Sequence, residues 1–365
     1  MIRRPLLLLI LILSFLSHPS FAQESDKELY LVASKAYEDG FYDVAIRYID
    51  QLLKEFPSSG KKTEAKLLLG QCYFFKSQYL KAYEIFQGLL TTTKHKDATL
   101  FWLGETYLKG SDYKQAERQY RQLVKFYTQS IYTPQAFYSL GWIHYEQENY
   151  SQAKKVFLEL IKDYPSHQLV EDAAFKVGEC EFNAKNYART IDYYKDYVNT
   201  YTDSNRHGEA YFYIAESYYY QDTPLEAITY YAKTAEVAFD SKLILMSRVS
   251  LGWSYLRLKK FSLSEDNFNE AYTFAKKKGI LTDDVLLGKA NLYTEMKEYD
   301  KALKAYKELI EKFPNSQRIT DAHLGKANLY YVSEKFDQAI KAYQALIKQF
   351  KKDTLNKEVI EKAYF

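Results

Sequence analysis

Cysteine is scarce in this sequence, which holds two among 365 residues. Cys72 and Cys180 occupy equivalent places in two copies of a repeating pattern, with further copies between them. Neighbouring helices pack roughly 8–10 Å apart, whereas a disulfide needs Cα atoms closer than about 7 Å. We therefore expect two separate buried thiols. No C-x-x-C pair is present, and neither a disulfide nor a metal-binding role is predicted.

An excess of either charge is also missing, because 50 basic residues face 47 acidic ones. This balance excludes a strongly basic nucleic-acid surface and an acidic tail. The sequence contains no glycine-rich phosphate loop and no nucleophile elbow. The histidines beyond the first 22 residues are scattered without metal-ligand spacing: His95, His144, His167, His207 and His323. We predict neither enzymatic activity nor a cofactor.

The first 22 residues have the pattern of a Sec-type signal peptide. Two arginines precede an apolar run, Leu6–Leu16, and Ser20-Phe21-Ala22 supplies small residues at the two positions that a signal peptidase reads. An uncleaved anchor is the alternative, but the run is shorter than the roughly 20 apolar residues of a spanning helix. Cleavage after Ala22 would leave 48 basic and 47 acidic residues, and no cysteine lies near the junction to accept a lipid.

What the sequence does have is a repeat with a small residue, here called the anchor, every 34 to 38 residues. The nine anchors are Ala33, Gly70, Gly104, Gly141, Gly178, Ala215, Gly252, Ala290 and Ala327. A ring usually stands three residues after the anchor (position +3) and again at +9. Alanine usually stands at +12, and a large apolar or aromatic residue at +16. The segment Phe137–Pro165 shows the whole unit.

These spacings predict two amphipathic helices per repeat. Residues three or four apart share a helix face, and small residues on both helices let their backbones approach closely. Thr223-Pro224-Leu225-Glu226 predicts a helix start with a capping threonine, proline at the first helical position and a capping box. Pro57, Pro165 and Pro314 are predicted to end second helices, because proline cannot continue the helical hydrogen bonds.

At this point the sequence resembles the tetratricopeptide repeat (TPR) family. Leu69, Gly70, Tyr73, Ala82 and Phe86 match the L-G-x2-Y…A-x3-F part of its signature without a gap. Nine such units in register cover most of the chain. The resemblance implies an all-α fold, a right-handed α-α superhelix of about nine helix-turn-helix repeats whose concave inner surface binds proteins.

The resulting domain organisation is a signal peptide over residues 1–22, a TPR solenoid of nine repeats over 25–350 and a C-terminal capping helix over 351–365. The repeats also resemble those of bacterial envelope proteins, such as the outer-membrane assembly lipoprotein and the periplasmic coordinator of the Tol-Pal system. The lipidation cysteine of the former and the coiled coil that precedes the repeats in the latter are missing here.

The resemblance further implies a scaffold in the periplasm of a Gram-negative-type bacterium, held near the outer membrane through an envelope protein in an assembly or maintenance complex. No transmembrane segment is predicted in the mature chain, peripheral association with a membrane is allowed, and no nucleic-acid partner is expected. The alternative is a binding protein or sensor for a small molecule or cell-wall glycan on the same surface.

In this family the first helix of each repeat lines the concave face through positions −3, +1 and +4. The predicted groove residues that follow are Tyr138, Trp142, Tyr145, Phe175, Glu179, Phe182, Phe212, Glu216, Tyr219 and Trp253. Aromatic rings with a ladder of carboxylates favour peptides that carry apolar anchors and some positive charge. The alternative is that several rings only pack between first helices. Asn291 and Asn328 lack the basic partners of a carboxylate clamp, so no clamp is predicted.

Overall fold

The computed structural model describes residues 25–280, 283–350 and 361. The predicted signal peptide, residues 1–22, lies outside the described residues, as does all of the predicted capping helix, 351–365, except residue 361. The described part of the chain contains α-helices and no strand, which confirms the all-α fold. The helices are α1 Asp26–Glu38, α2 Tyr42–Glu55, α3 Lys62–Phe75, α4 Tyr79–Leu89, α5 Lys96–Lys109, α6 Tyr113–Phe126, α7 Thr133–Glu146, α8 Tyr150–Asp163, α9 Val170–Asn183, α10 Tyr187–Thr200, α11 His207–Tyr220, α12 Pro224–Val237, α13 Ser241–Arg257, α14 Phe261–Lys278, α15 Asp283–Glu295, α16 Tyr299–Lys312, α17 Ile319–Val332 and α18 Phe336–Phe350.

Two compact units share these helices. The first comprises the described residues up to Glu148 together with Lys162–Leu169, and the second comprises Asn149–Ile161 and the described residues from Val170 onward. Within the first unit α1 packs on α2, α3 on α4 and α5 on α6, and each second helix also packs on the next first helix. The second unit repeats this arrangement from α9 to α18. Successive first helices also contact each other within each unit.

The turn inside each repeat contains a residue with left-handed backbone conformation at position +7. Glycine takes this place once, as Gly40, although glycine is the residue that adopts positive φ without strain. The other repeats place longer side chains there: Ser77, Ser111, Glu148, Lys185, Asp222, Lys259, Lys297 and Glu334. The next residue donates its backbone N–H to the carbonyl at +3, as Thr223 does to Tyr218 at 3.0 Å. This bond closes the end of the first helix.

The large side chain at +16 of the second helix packs against the anchor of its own repeat. A Cβ added to Gly252 would lie 2.6 Å from the Phe268 ring, and one added to Gly288, in the next first helix, would lie 2.3 Å from the same ring. Phe268 is fully buried between these two glycines. Gly70, Gly104 and Gly178 meet the rings at +16 of their own repeats in the same way. The anchor is small because this ring occupies the space of its side chain.

The predicted helix ends are mostly confirmed, and one predicted cap is wrong. α2, α8 and α16 end two residues before their prolines, and Pro224 begins α12. The Thr223 side chain, however, does not cap α12. Its hydroxyl donates to the Tyr218 carbonyl at 2.9 Å and so closes the preceding helix instead. A complete capping box occurs at α1, between Ser25 and Glu28.

The contact at the anchor predicts that Gly→Ala lowers stability at Gly252 and raises it at Gly88. Gly252→Ala gains about 1 kcal/mol of helix propensity, but forcing a methyl group against a ring that cannot move costs roughly 1–3 kcal/mol. We expect a net loss of stability, seen as a lower midpoint of urea unfolding by circular dichroism. Gly88→Ala is the matched control, because Gly88 is an exposed helical residue with no atom near the added Cβ. It should raise the midpoint. Shifts of the same sign would contradict the contact.

Candidate functional site

The face formed by the first helices carries hydrogen bonds that the sequence did not predict. Where a repeat has tyrosine at +16, the phenol reaches across to the residue at +1 on the first helix. Tyr120 donates to Glu105 at 2.6 Å and Tyr231 donates to Glu216 at 2.5 Å. In the last two repeats the acceptor is an amide oxygen, and the pairs Tyr306–Asn291 and Tyr343–Asn328 each have a distance of 2.5 Å.

Where position +16 has no hydroxyl, position +1 is not a carboxylate. In the sequence, the repeats that have Phe157 and Phe268 at +16 have Trp142 and Trp253 at +1, and the repeat that has Phe86 has Gln71. A buried phenol needs a hydrogen-bond acceptor, while a phenyl ring needs only apolar contact. The residue type at +1 therefore depends on whether the side chain at +16 carries a hydroxyl.

The repeat that contains Glu179 departs from this rule. Tyr194 donates to the backbone carbonyl of Phe175 at 3.1 Å. Glu179 instead accepts from Tyr213 of the next first helix at 3.3 Å and pairs with Lys176 at 2.5 Å. The ladder of carboxylates that the sequence predicts consists of Glu105, Glu179 and Glu216, and each of the three is thus held by groups of the protein itself.

Burial raises the pKa of one of these carboxyl groups. Desolvation raises the pKa of Glu216 above its usual value, and the hydrogen bond from Tyr231 partly opposes this effect. A group with raised pKa has a lower tendency to be charged, which weakens the expectation of a strongly acidic surface. The expectation that this face prefers positively charged peptides is not supported at Glu216.

In the first unit, α7 carries three predicted groove residues. Tyr138, Trp142 and Tyr145 are each half-buried, so part of each ring is open to solvent. The indole of Trp142 makes an edge contact with Tyr113 of α6, with ring centroids 6.1 Å apart. One helix therefore brings the three rings to the surface of the first unit.

In the second unit, two of the predicted groove residues are buried. Phe175 has no exposed surface, and the Arg206 guanidinium lies over its ring at 3.5 Å from the centroid. Glu179 is 8% exposed. The prediction that these side chains face an open groove is corrected for both, because neighbouring helices and Arg206 cover them. Phe182, Phe212, Glu216, Tyr219 and Trp253 are half-buried.

A cavity of about 590 Å³ lies on the first-helix side of the second unit. Tyr219 of α11 and Trp253 of α13 are the predicted groove residues that line it. The remaining lining residues are Leu256, Arg257, Lys259, Asn291, Thr294, Glu295, Tyr306, Gly325, Asn328 and Val332. Four first helices, α11, α13, α15 and α17, thus contribute to one concave site. The packing of Trp253 on Phe268, with centroids 5.7 Å apart, holds the indole at this surface.

Sequence reasoning missed the two cations of this cavity. Arg257 and Lys259 stand at positions +5 and +7, whereas groove residues were sought at −3, +1 and +4. Arg257 pairs with Asp222 at 2.7 Å, and its guanidinium lies 5.2 Å from the centroid of the Tyr219 ring.

Chemistry that needs a metal or a reactive thiol has little support in the described residues. No group of histidine, cysteine and carboxylate side chains in residues 25–280 and 283–350 could hold a metal ion. Cys72 and Cys180 are free and buried, as predicted, and burial raises the pKa of each thiol to about 12. Within the described part of the chain no helix is long and apolar enough to cross a membrane.

Comparison with known families supports the repeat assignment. The family profile described as tetratricopeptide repeat matches residues 135–167, 172–204, 284–316 and 321–353. A second profile, described as anaphase-promoting complex, cyclosome, subunit 3, matches residues 38–123. Neither profile indicates an enzyme family. No curated protein sequence matches the chain.

Solved structures of other proteins are similar to this chain at low sequence identity, and the first of them shares its fold. The C-terminal part of a TPR repeat-containing protein from Cytophaga hutchinsonii is 15% identical with a TM-score of 0.57, over 70% of this chain and 98% of that one. A tetratricopeptide repeat protein from Parabacteroides merdae is 15% identical with a TM-score of 0.47, over 69% and 94%. MamA from Desulfovibrio magneticus is 16% identical with a TM-score of 0.43, over 51% and 98%. The chain folds as a TPR solenoid.

The tyrosine–acceptor pairs predict that the loss of stability caused by Tyr231→Phe depends on pH, whereas the loss caused by Tyr306→Phe does not. Tyr231→Phe leaves the Glu216 carboxylate without its donor, so the already raised pKa of Glu216 rises further. A carboxyl group whose pKa is higher in the folded than in the unfolded protein stabilises the fold at pH values below its unfolded pKa. This stabilisation is lost as the pH rises through the folded-state pKa. The loss of stability caused by Tyr231→Phe should therefore grow from pH 4 to pH 8, reaching about 1–3 kcal/mol.

Tyr306→Phe is the matched control, because its acceptor Asn291 does not titrate. Its cost in urea-unfolding midpoint should be the same at both pH values. Adding Glu216→Gln to Tyr231→Phe should remove the pH-dependent part of the loss. Equal pH dependence in the two Tyr→Phe variants would contradict the assigned role of the Glu216 carboxylate.

Proposed function

We propose that this tetratricopeptide-repeat solenoid is a non-enzymatic scaffold that binds a segment of a protein partner on its first-helix face. The cavity of the second unit carries the proposal, since Trp253, Tyr219 and Leu256 expose apolar surface beside fixed polar groups. Aromatic anchors that are partly buried and surrounded by hydrogen-bonding groups are typical of positions that dominate binding energy. The three rings of α7 offer a second such surface in the first unit.

We also propose that the scaffold acts in the periplasm of a Gram-negative-type bacterium, near the outer membrane, within a complex that assembles or maintains the envelope. The pattern of residues 1–22 and the resemblance of the repeats to envelope proteins support this location. The partner in this proposal is an envelope protein.

Partner capture tests the binding proposal. The tagged wild type and the variant Trp142→Ala with Trp253→Ala are each incubated with an envelope extract, and captured proteins are identified by mass spectrometry. We expect at least one partner of the wild type to be lost, because both indoles present apolar surface on first helices. Phe41→Ala is the control: its ring is 63% exposed but lies outside the predicted groove.

Retention of every wild-type partner by the double variant would contradict the proposal that partners bind on the first-helix face. Loss of partners by Phe41→Ala as well would show that any exposed ring suffices, and the groove would have no special role. Binding of muropeptides in a calorimeter, with no captured protein, would favour the small-molecule function instead.

Processing of the N-terminus tests the proposed export. Mass spectrometry of the protein purified from cells should give a mature chain that begins at Gln23. Ala22→Asp places a charged side chain at a position that must be small, and the full-length precursor should accumulate in the membrane fraction. A full-length wild-type chain that remains in the cytoplasm would overturn the proposed location.

A further inference from the structure

The outward face of α6, a second helix of the first unit, carries a stripe of positive charge. Lys114, Arg118, Arg121 and Lys125 are exposed and follow one another at intervals of three or four residues. Residues at this spacing share one face of a helix, so these four cations, here called the α6 stripe, extend about 16 Å along the axis. The stripe lines an open groove of about 490 Å³ together with Glu117, Gln122 and Phe126.

Little negative charge balances the α6 stripe. Glu117 accepts from Arg121 at 2.7 Å, and Asp112 caps the start of the helix by accepting from the Gln115 backbone N–H. The other three cations of the stripe form no ion pair within the part of the chain that the structure describes. The preceding second helix, α4, adds one lysine and one glutamate, which cancel. Four basic side chains thus face two carboxylates on α6.

The equivalent surface of α16 has balanced charge. It has a groove of the same volume, about 490 Å³, formed at the same repeat positions by Asp300, Leu303, Lys304, Lys307, Glu308, Glu311 and Lys312. Three lysines there accompany three carboxylates. Lys114 and Lys125 of α6 occupy the positions, +10 and +21, at which α16 has Asp300 and Glu311. The positive charge is therefore a property of α6 and not of the repeat in general.

An uncovered aromatic ring lies at the end of the α6 stripe. Phe126 is 67% exposed, and the Lys125 ammonium lies 5.1 Å from the centroid of its ring. The residues that line the groove all belong to α6, so no neighbouring helix encloses the ring. Anchors in protein interfaces are typically enclosed in well-packed pockets. Cations beside an exposed apolar side chain are instead typical of surfaces that lie on anionic lipid.

We infer that α6 docks the first unit on a bilayer that carries anionic headgroups. The cations of the α6 stripe contact the phosphates of several lipids, and Phe126 enters the boundary between headgroups and acyl chains. A single small anion would need cations that converge on one point, which a stripe about 16 Å long does not provide. This docking uses a second helix, so it does not depend on the proposed binding of a partner to the first-helix face.

Flotation with vesicles of phosphatidylcholine, alone or with about one-third phosphatidylglycerol, tests the inference. The chain is used as purified from cells, with the same N-terminus in every variant. We expect the wild type to bind the phosphatidylglycerol vesicles at least about tenfold more tightly than the neutral ones. This preference should shrink as salt is raised to about 0.5 M, because screening then acts within a few ångströms.

Lys114→Asp with Lys125→Glu gives α6 the acidic residues that α16 already has at these positions, so the unfolding midpoint should be unchanged. Binding to phosphatidylglycerol vesicles should fall at least about tenfold, because each basic residue near an anionic surface contributes about fivefold. Lys304→Glu with Lys307→Glu is the matched control, since it makes the same change of net charge at exposed residues of the α16 groove. It should keep its affinity within about twofold.

Phe126→Ala changes no charge and removes an exposed ring. It should weaken vesicle binding at least about threefold while the salt dependence is retained, because the ring contributes apolar surface to the headgroup boundary. Full binding by Phe126→Ala would overturn the assigned insertion of this ring.

The remaining outcomes decide the docking itself. Equal loss of binding in the α6 variant and the α16 control would reduce the effect to net charge and overturn the inference, as would unchanged binding in the α6 variant. Absence of vesicle binding, with a protein partner captured by the wild type and lost in the α6 variant, would assign the stripe to an acidic protein instead. Trp253→Ala should bind vesicles like the wild type, so failure of partner capture and failure of docking are distinguishable.

Discussion

The contact between the anchor and the side chain at +16 is the constraint on which the other features of each repeat depend. It requires a small residue on the first helix, because the ring occupies the volume of a longer side chain. It buries the rings of Tyr120, Tyr231 and Tyr306, so each of these hydroxyls must find an acceptor. Tyr120 and Tyr231 find theirs in the glutamates at +1. Packing inside the repeat thereby decides which polar groups stand on the first-helix face.

This dependence explains why the binding surface differs from repeat to repeat. Where the ring is Phe268, position +1 is free to carry Trp253, which lies at the cavity. Where the ring is Tyr306, the acceptor is Asn291, which has an amide donor to spare after it has accepted the phenol. A glutamate in that place would have brought negative charge and no donor. The spare amide donor of Asn291 thus follows from how the Tyr306 hydroxyl is satisfied.

Much of the fold could be predicted from the sequence, and less of the site. The 3.6-residue periodicity, the anchors and the prolines marked every helix pair, because these signals depend on neighbours within one repeat. The cap predicted at Thr223 was wrong because its hydroxyl had two backbone partners within reach, and the tertiary turn selected Tyr218. Phe175 was predicted to be exposed by its position, yet Arg206 and adjacent helices cover it. The places of Arg257 and Lys259 at the cavity could not be predicted, since both lie outside positions −3, +1 and +4 and the cavity forms only where several first helices pack together.

The sequence by itself determined the all-helical class, the length of the repeat, and the alternation of small and aromatic residues that makes helix pairs pack. Such features follow from local periodicity and from the volume of individual side chains. Only the tertiary structure decided which groove residues remain accessible, which carboxylates are held internally and which cations line the same cavity as the indole of Trp253. Those outcomes depend on contacts between residues 15 to 35 positions apart, as in the pairs Tyr231–Glu216 and Arg257–Asp222, whose geometry exists only once the helices are packed.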